Sequence, residues 1–314
     1  MTRLTSDASL TRRAFLAQTG AGAAIIAASP LIAGAATATS GSGAHASHGA
    51  PPARYPIGIE MYAVRGELAK DLPLTLRTVR QIGYEVVEFY APYLDWTLPY
   101  AKSVRTMLDD LGLRCFSTHN GAGALVAGER MSKAIEINQI LGTRHLIVAS
   151  PPFENATAED WKRLGGELTA AARILAPHGL LAGYHNHDKE WAPVGSGVRG
   201  MDLIAANTPA ELVLQLDVGT CVKAGADPVA WVKAHPGRIR SAHLKDWAPG
   251  TEAQEKSYRV LFGEGAAPWR PLTAALESVG GVEFYLMEQE GSRYSEFDTA
   301  RRCLATWRRM RAGR

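Results

Sequence analysis

Four short segments constrain the fold of this chain more than any other feature. They read Ala182-Gly183-Tyr184-His185-Asn186-His187-Asp188, Leu214-Gln215-Leu216-Asp217-Val218-Gly219, Ser241-Ala242-His243-Leu244-Lys245-Asp246 and Phe284-Tyr285-Leu286-Met287-Glu288-Gln289-Glu290. Each is an apolar run that ends in a potential metal ligand and then passes into Gly or polar residues. They recur at about the length of one βα unit. A buried strand is short, so a polar side chain at its C-terminal end projects into a site. Ends that supply His, Asp, His and Glu make an N/O donor set suited to Mn²⁺, Zn²⁺ or Co²⁺.

The rest of the chain repeats the alternation. Apolar runs rich in Val, Ile, Leu and aromatics predict strands over residues 56–61, 86–90, 114–118, 145–149, 180–184, 212–216, 239–243 and 283–288. They lack strict alternation, as parallel strands covered on both faces do. Helical patterns lie between them. Those over 74–82, 103–111 and 132–141 stop at Gly83, Gly112 and Gly142, natural residues for the turn after a helix. A pattern over 158–177 begins with acidic residues, and Pro228 opens another at a first-turn position. The last, over 297–311, gathers arginines towards its C-terminus, where the helix dipole favours cations. Eight such units predict a single closed (β/α)₈ TIM barrel over residues 55–314, with its site at the C-terminal ends of the strands.

The N-terminus reads as a separate device. Arg12-Arg13 precede a weakly apolar stretch that ends in small-x-small sites at 33–35 and 36–38. This is the layout of an export signal, and the paired arginines point to the twin-arginine route over residues 1–38. Residues 39–54, rich in Ser, Gly, Ala, His and Pro, read as a flexible linker. A periplasmic or secreted protein follows, with no stable membrane anchor once the signal is cleaved. The full chain carries a formal charge of +3, and loss of Arg3, Arg12, Arg13 and Asp7 with the signal leaves the mature protein near +1. Such a balance, without a long basic block, speaks against nucleic acid as a partner. Cys115, Cys221 and Cys303 have no CxxC spacing and imply no disulfide framework.

The ordered motifs Gly183-Tyr184-His185-Asn186-His187-Asp188, Leu216-Asp217-Val218-Gly219, His243-Leu244-Lys245-Asp246, Gly263-Glu264-Gly265 and Met287-Glu288-Gln289 give the chain a family likeness. From about Tyr55 onward it resembles the xylose isomerase-like barrels of the sugar phosphate isomerase/epimerase superfamily. The resemblance implies one divalent metal held from strands five to eight, with Asp217, His243 and Glu288 as three ligands. Relatives place Glu on strand five. Alignment of the Asn-His pair puts His185 there, and His187, two residues on and on the same side of the strand, competes with it. The resemblance also implies proton transfer next to a carbonyl of a sugar. The metal polarises the carbonyl, and a base removes the α-proton to give an enediolate. Return of the proton to the other face gives an epimer and return to the neighbouring carbon an isomer. Loss of a β-oxygen gives a lyase or dehydratase on a 3-keto-glycoside or inosose, the runner-up reading. A barrel that binds sugar without catalysis is the third.

Glu190, His187 and Glu288 are the candidate acid–base groups. Lys245 is placed to neutralise an oxyanion or hold a hydroxyl. His119, Glu60 and Glu88 end strands three, one and two and are candidate sugar binders, with Trp247, Tyr62, Tyr90 and Trp191 as stacking aromatics. Gly263-Glu264-Gly265 lacks the length and the Lys-Ser/Thr of a phosphate loop. Together with export, this points to a non-phosphorylated sugar. Related barrels are often dimers or tetramers, so a homo-oligomer is within expectation.

Overall fold

A computed structural model of the chain describes residues 55–313, apart from Glu154, Ser196 and 251–256. The expected signal and linker, residues 1–54, lie outside the described residues. The strands are β1 (Ile57–Glu60), β2 (Val86–Phe89), β3 (Arg114–Gly121), β4 (His145–Ser150), β5 (Leu181–His185), β6 (Val213–Asp217), β7 (Ser241–Leu244) and β8 (Phe284–Met287). They pair in chain order, and β8 closes in parallel on β1 to complete an eight-stranded barrel. Each expected strand is present, shifted at its ends by at most three residues.

Helices follow the punctuation of the sequence. That at Leu72–Ile82 is opened by Asp71, whose carboxylate accepts Leu74 N–H, and is stopped by Gly83 at φ 111°. That at Ala158–Leu175 carries a reciprocal cap between Thr157 and Asp160. Four helices escape the sequence pattern: Arg65–Lys70, Gly200–Ala206, Val218–Lys223 and Trp269–Ala275. Each is only six or seven residues long, too short to show a 3.6-residue apolar period. Among the described residues no helix is long and apolar enough to cross a membrane.

Inside the barrel, side chains alternate in and out with the two-residue period of a strand. Val86, Phe284 and Leu286 form an apolar cluster towards the N-terminal ends of the strands, with Phe116 packed against it. Polar residues replace them towards the C-terminal ends: Gln215 and Asp217 on β6, Ser241 and His243 on β7 and Glu288 after β8, all buried. The interior is thus a packed plug below and a polar floor above.

Candidate active site

Seven strands deliver the polar floor. Glu60 ends β1, Glu88 lies on β2, Ser117 and His119 on β3, His185 on β5, Gln215 and Asp217 on β6, and Ser241 and His243 on β7; Lys245 and Glu288 follow β7 and β8. All of these side chains are buried. A buried polar group must be satisfied locally, and the bonds are dense. Glu88 accepts from His243 Nε2 at 2.8 Å and from Gln215 Nε2 at 3.0 Å, and also from the Ser117 hydroxyl, while His119 Nε2 lies 3.1 Å from its Oε1. Burial alone would raise this carboxyl. The His119 and His243 imidazoles outweigh it and bring Glu88 down to about 2. His243 gives its other nitrogen, Nδ1, to Glu288 Oε2 at 2.6 Å. Burial works against a charge on His243, but the two carboxylates prevail and hold it well above the ordinary histidine value. His185 behaves in the opposite way. Burial, with His243 and His119 nearby, pushes it well below that value, so it is a neutral imidazole.

Asp217 shows how the backbone aims a ligand. It is the N-cap of the helix Val218–Lys223, and its Oδ1 accepts Thr220 N–H at 2.9 Å. That leaves Oδ2, which is buried and accepts no hydrogen bond. It lies 3.7 Å from His185 Nε2 and 3.5 Å from Lys245 Nζ. The helix reaches this position because Gly219 has no side chain: a Cβ there would stand 2.9 Å from the Lys245 carbonyl oxygen. Lys245 pairs with Glu290, and although burial lowers its basicity, Glu288, Asp217 and Glu290 keep it charged.

The donor atoms fall into two overlapping sets, each within 4.8 Å: His185, Asp217 and Glu288, and His119, His185 and His243. Of the four expected ligands, three therefore share one locus, while His243 joins His185 in the adjacent set and touches Glu288. The locus fits a divalent cation. It offers one neutral imidazole nitrogen, an orphaned carboxylate oxygen and a second carboxylate, all out of water. The imidazole grouped with Asp217 and Glu288 is that of His185, while His187 is half-buried and lines the cavity.

The mouth holds a cavity of about 440 Å³, lined among others by Glu60, Tyr62, Tyr90, His119, His187, Glu288 and Glu290. Glu60 takes Tyr62 N–H on Oε2 at 2.6 Å, while Oε1 is buried without a partner. Burial, then the charges of Glu288 and Glu88, raises its carboxyl well above the usual range. Tyr62 and Tyr90 meet edge to face at 5.3 Å.

Several expected residues lie elsewhere. Glu190 is fully buried away from the cavity, with Tyr184 OH on one oxygen at 2.7 Å and His187 N–H on the other at 3.0 Å. It holds the His187 backbone. Trp247 and Trp191 do not line the cavity. Asp246 does not pair with Lys245. It accepts N–H groups from Trp247, Gly263, Gly265 and Ala267 and from the Trp269 indole, and so ties down the Gly263-Glu264-Gly265 turn. A Cβ at Gly265 would lie 2.1 Å from Asp246 Oδ1. Gln215, Ser117, Ser241 and Glu290 are site residues that motif reading missed. The two-residue period of each strand, counted from Asp217, His119, His243 and Glu288, marks all four.

A family model described as a xylose isomerase-like TIM barrel matches residues 76–309. The chain belongs to this family. It is similar to the inosose dehydratase of Clostridium beijerinckii, with 25% identity over 148 residues, 42% of this chain and 48% of that protein. The match thus spans less than half of the relative. Among solved structures, the barrel resembles a sugar phosphate isomerase/epimerase from Parabacteroides distasonis at 23% identity and TM-score 0.67, over 83% of this chain and 94% of that one. It also resembles the IolI protein, solved with a bound zinc atom, at 15% identity and TM-score 0.61, over 80% and 97%. This xylose isomerase-like family includes isomerases, epimerases and inosose dehydratases.

Proposed function

We propose that this xylose isomerase-like protein is a divalent-metal-dependent isomerase or epimerase that moves a proton beside the carbonyl of a non-phosphorylated sugar or sugar derivative. One observation carries the reading. His185, Glu288 and the Asp217 Oδ2 that accepts no hydrogen bond lie within 4.8 Å of one another, and Glu288 also lines the cavity of about 440 Å³, which is walled by imidazole, carboxylate and tyrosine groups. When bound, the ion supplies Lewis-acid polarisation of the carbonyl.

The other roles belong to the chain itself. His187 lines the cavity, and its ring accepts and donates no hydrogen bond among the described residues. It removes the α-proton and returns it to the opposite face or the neighbouring carbon. Glu60, kept protonated by burial and by its carboxylate neighbours, donates from Oε1 to a sugar hydroxyl. Lys245 holds positive charge beside Asp217, where an oxyanion develops. No Lys or Arg is among the residues that line the cavity, so a phosphate there would face Glu60, Glu288 and Glu290. That supports a neutral substrate. Twin-arginine export belongs to the same proposal, and N-terminal sequencing of protein recovered from the periplasm tests it.

The likeness to an inosose dehydratase favours a second reading, a lyase that removes the same proton and expels a β-oxygen. Incubation with a panel of keto-sugars in deuterated water separates the outcomes. Deuterium beside the carbonyl without loss of water supports the isomerase or epimerase, and loss of water supports the lyase. Exchange should vanish in His187→Ala with metal content by elemental mass spectrometry unchanged. Bound metal without exchange on any sugar would leave a non-catalytic sugar-binding barrel.

A further inference from the structure

Gln215 is fully buried in the polar floor and sits opposite His185 in the β5–β6 register. Its amide reaches four side chains. Nε2 donates to Glu88 Oε2 at 3.0 Å and to Ser241 Oγ at 3.0 Å. Oε1 lies 2.6 Å from His119 Nε2 and 3.0 Å from His185 Nδ1. An amide can be turned over, exchanging its oxygen and nitrogen, and the choice follows from the partners. Both Glu88 oxygens already accept, Oε1 from His243 Nε2 and Oε2 from the Ser117 hydroxyl, so this side chain acts here as an acceptor. The reversed amide would press its oxygen against that carboxylate at 3.0 Å. The nitrogen therefore faces Glu88, and the oxygen faces the two imidazoles.

A carbonyl oxygen can only accept, so each facing imidazole nitrogen must carry a proton. We infer that Gln215, oriented by Glu88, is a positioning residue that fixes His185 as the Nδ1–H tautomer and His119 as a ring protonated at Nε2. His185 Nε2 is then the lone-pair nitrogen, and it is this nitrogen that lies 3.7 Å from Asp217 Oδ2. A carboxylate on β5 would need no such device, since either of its oxygens is a ligand. An imidazole in that place must be told which nitrogen to present, and a neighbouring acceptor is how metal sites do so. The same amide leaves His119, which lines the cavity, with Nδ1 as an acceptor for a substrate hydroxyl. The consequence for metal binding rests on the ligand reading above, whereas the tautomer does not.

Long-range ¹H–¹⁵N NMR of the metal-free protein labelled at histidine, near pH 7.5, reads the tautomer directly. His185 should show the neutral Nδ1–H pattern, and in Gln215→Leu it should move towards the Nε2–H form that imidazoles prefer in water. Zinc affinity by chelator competition should fall about 10- to 100-fold in Gln215→Leu. An Nε2–H pattern for His185 in the wild-type protein overturns the inference even if Gln215→Leu does not fold. So does a Gln215→Leu variant that folds and binds zinc within threefold of wild type. Zinc uptake with His185 as Nε2–H would sink the tautomer and spare the ligand set. An Nδ1–H His185 with no zinc uptake would do the reverse.

Discussion

Both ends of the barrel bury histidines on inward strand positions, and the two ends treat them differently. At the C-terminal end, His119, His185 and His243 have carboxylate or amide partners from other strands. At the N-terminal end, His145 opens β4, stacks on Phe284 with ring centroids 5.8 Å apart, and leaves Nδ1 buried without a partner. Burial, then Arg144 and Arg240, takes His145 down to about 3. Above, polar strand positions are wired together and aimed at a locus. Below, the same residue type is packing material kept neutral by its surroundings. The contrast is that expected of such barrels, where chemistry sits at one end and stability at the other.

The comparison breaks most visibly if a large change below disturbs the site above. Phe284 is fully buried between Phe116, at 5.2 Å, and His145. Phe284→Ala should destabilise the fold by about 3–5 kcal/mol in urea, while zinc affinity of the folded protein stays within about threefold. The reciprocal change is Asp217→Asn. Asn can still cap the Val218–Lys223 helix, so stability of the metal-free protein should move by no more than about 1 kcal/mol. Zinc affinity should nevertheless fall by about 100-fold or more, since Oδ2 loses its charge. Unchanged zinc content in this variant would remove Asp217 from the ligand set.

A pH experiment sharpens the contrast. An unfolded histidine titrates near 6.5, and His145 in the fold titrates at about 3. Its native value is depressed, so the unfolded chain binds the proton first. The contribution of this residue is complete above about pH 6.5 and is lost as pH falls towards 3. Between pH 6.5 and 5 the loss should be about 2 kcal/mol. In His145→Gln, neutral throughout, that share of the acid sensitivity should vanish. Taking the difference between variant and wild type in urea at the two pH values cancels the histidines of the upper end. An identical slope in both proteins would mean that His145 is not the neutral buried group described here.

The same contrast explains what could be read in the sequence. The strands were legible because each apolar run is bounded by Gly or polar residues, and Asp217, His243 and Glu288 stood out as the polar residues that end such runs. Gln215 did not, because an amide inside Leu-Gln-Leu-Asp reads as an interruption of an apolar strand. Only its inward phase with Asp217 marks it. Glu190 misled for the opposite reason: it is a carboxylate shortly after the β5 ligand segment, but the Lys189–Trp191 turn places it in a hydrogen bond with Tyr184 OH. Sequence order carries the spacing along a strand, whereas which side a loop residue faces is settled by the turn.

The smallest effect belongs to the rim. Tyr62 is about 38% exposed, with Tyr90 edge-on at 5.3 Å and the Arg65 guanidinium 4.3 Å from its ring centre. It touches neither the ligand locus nor the lower plug. Its ring can offer only a face to the apolar side of a sugar, an interaction of about 0.5–1.5 kcal/mol. Tyr62→Ala should therefore raise KM roughly threefold to tenfold and leave kcat alone, because uniform binding is lost and the proton-transfer groups are not. Tyr62→Phe should match wild type, since the ring and not the hydroxyl makes the contact. A fall in kcat in Tyr62→Ala would instead trace to Glu60, whose Oε2 is held by the Tyr62 N–H. The rim would then be part of the wired upper end and not a passive wall beside it.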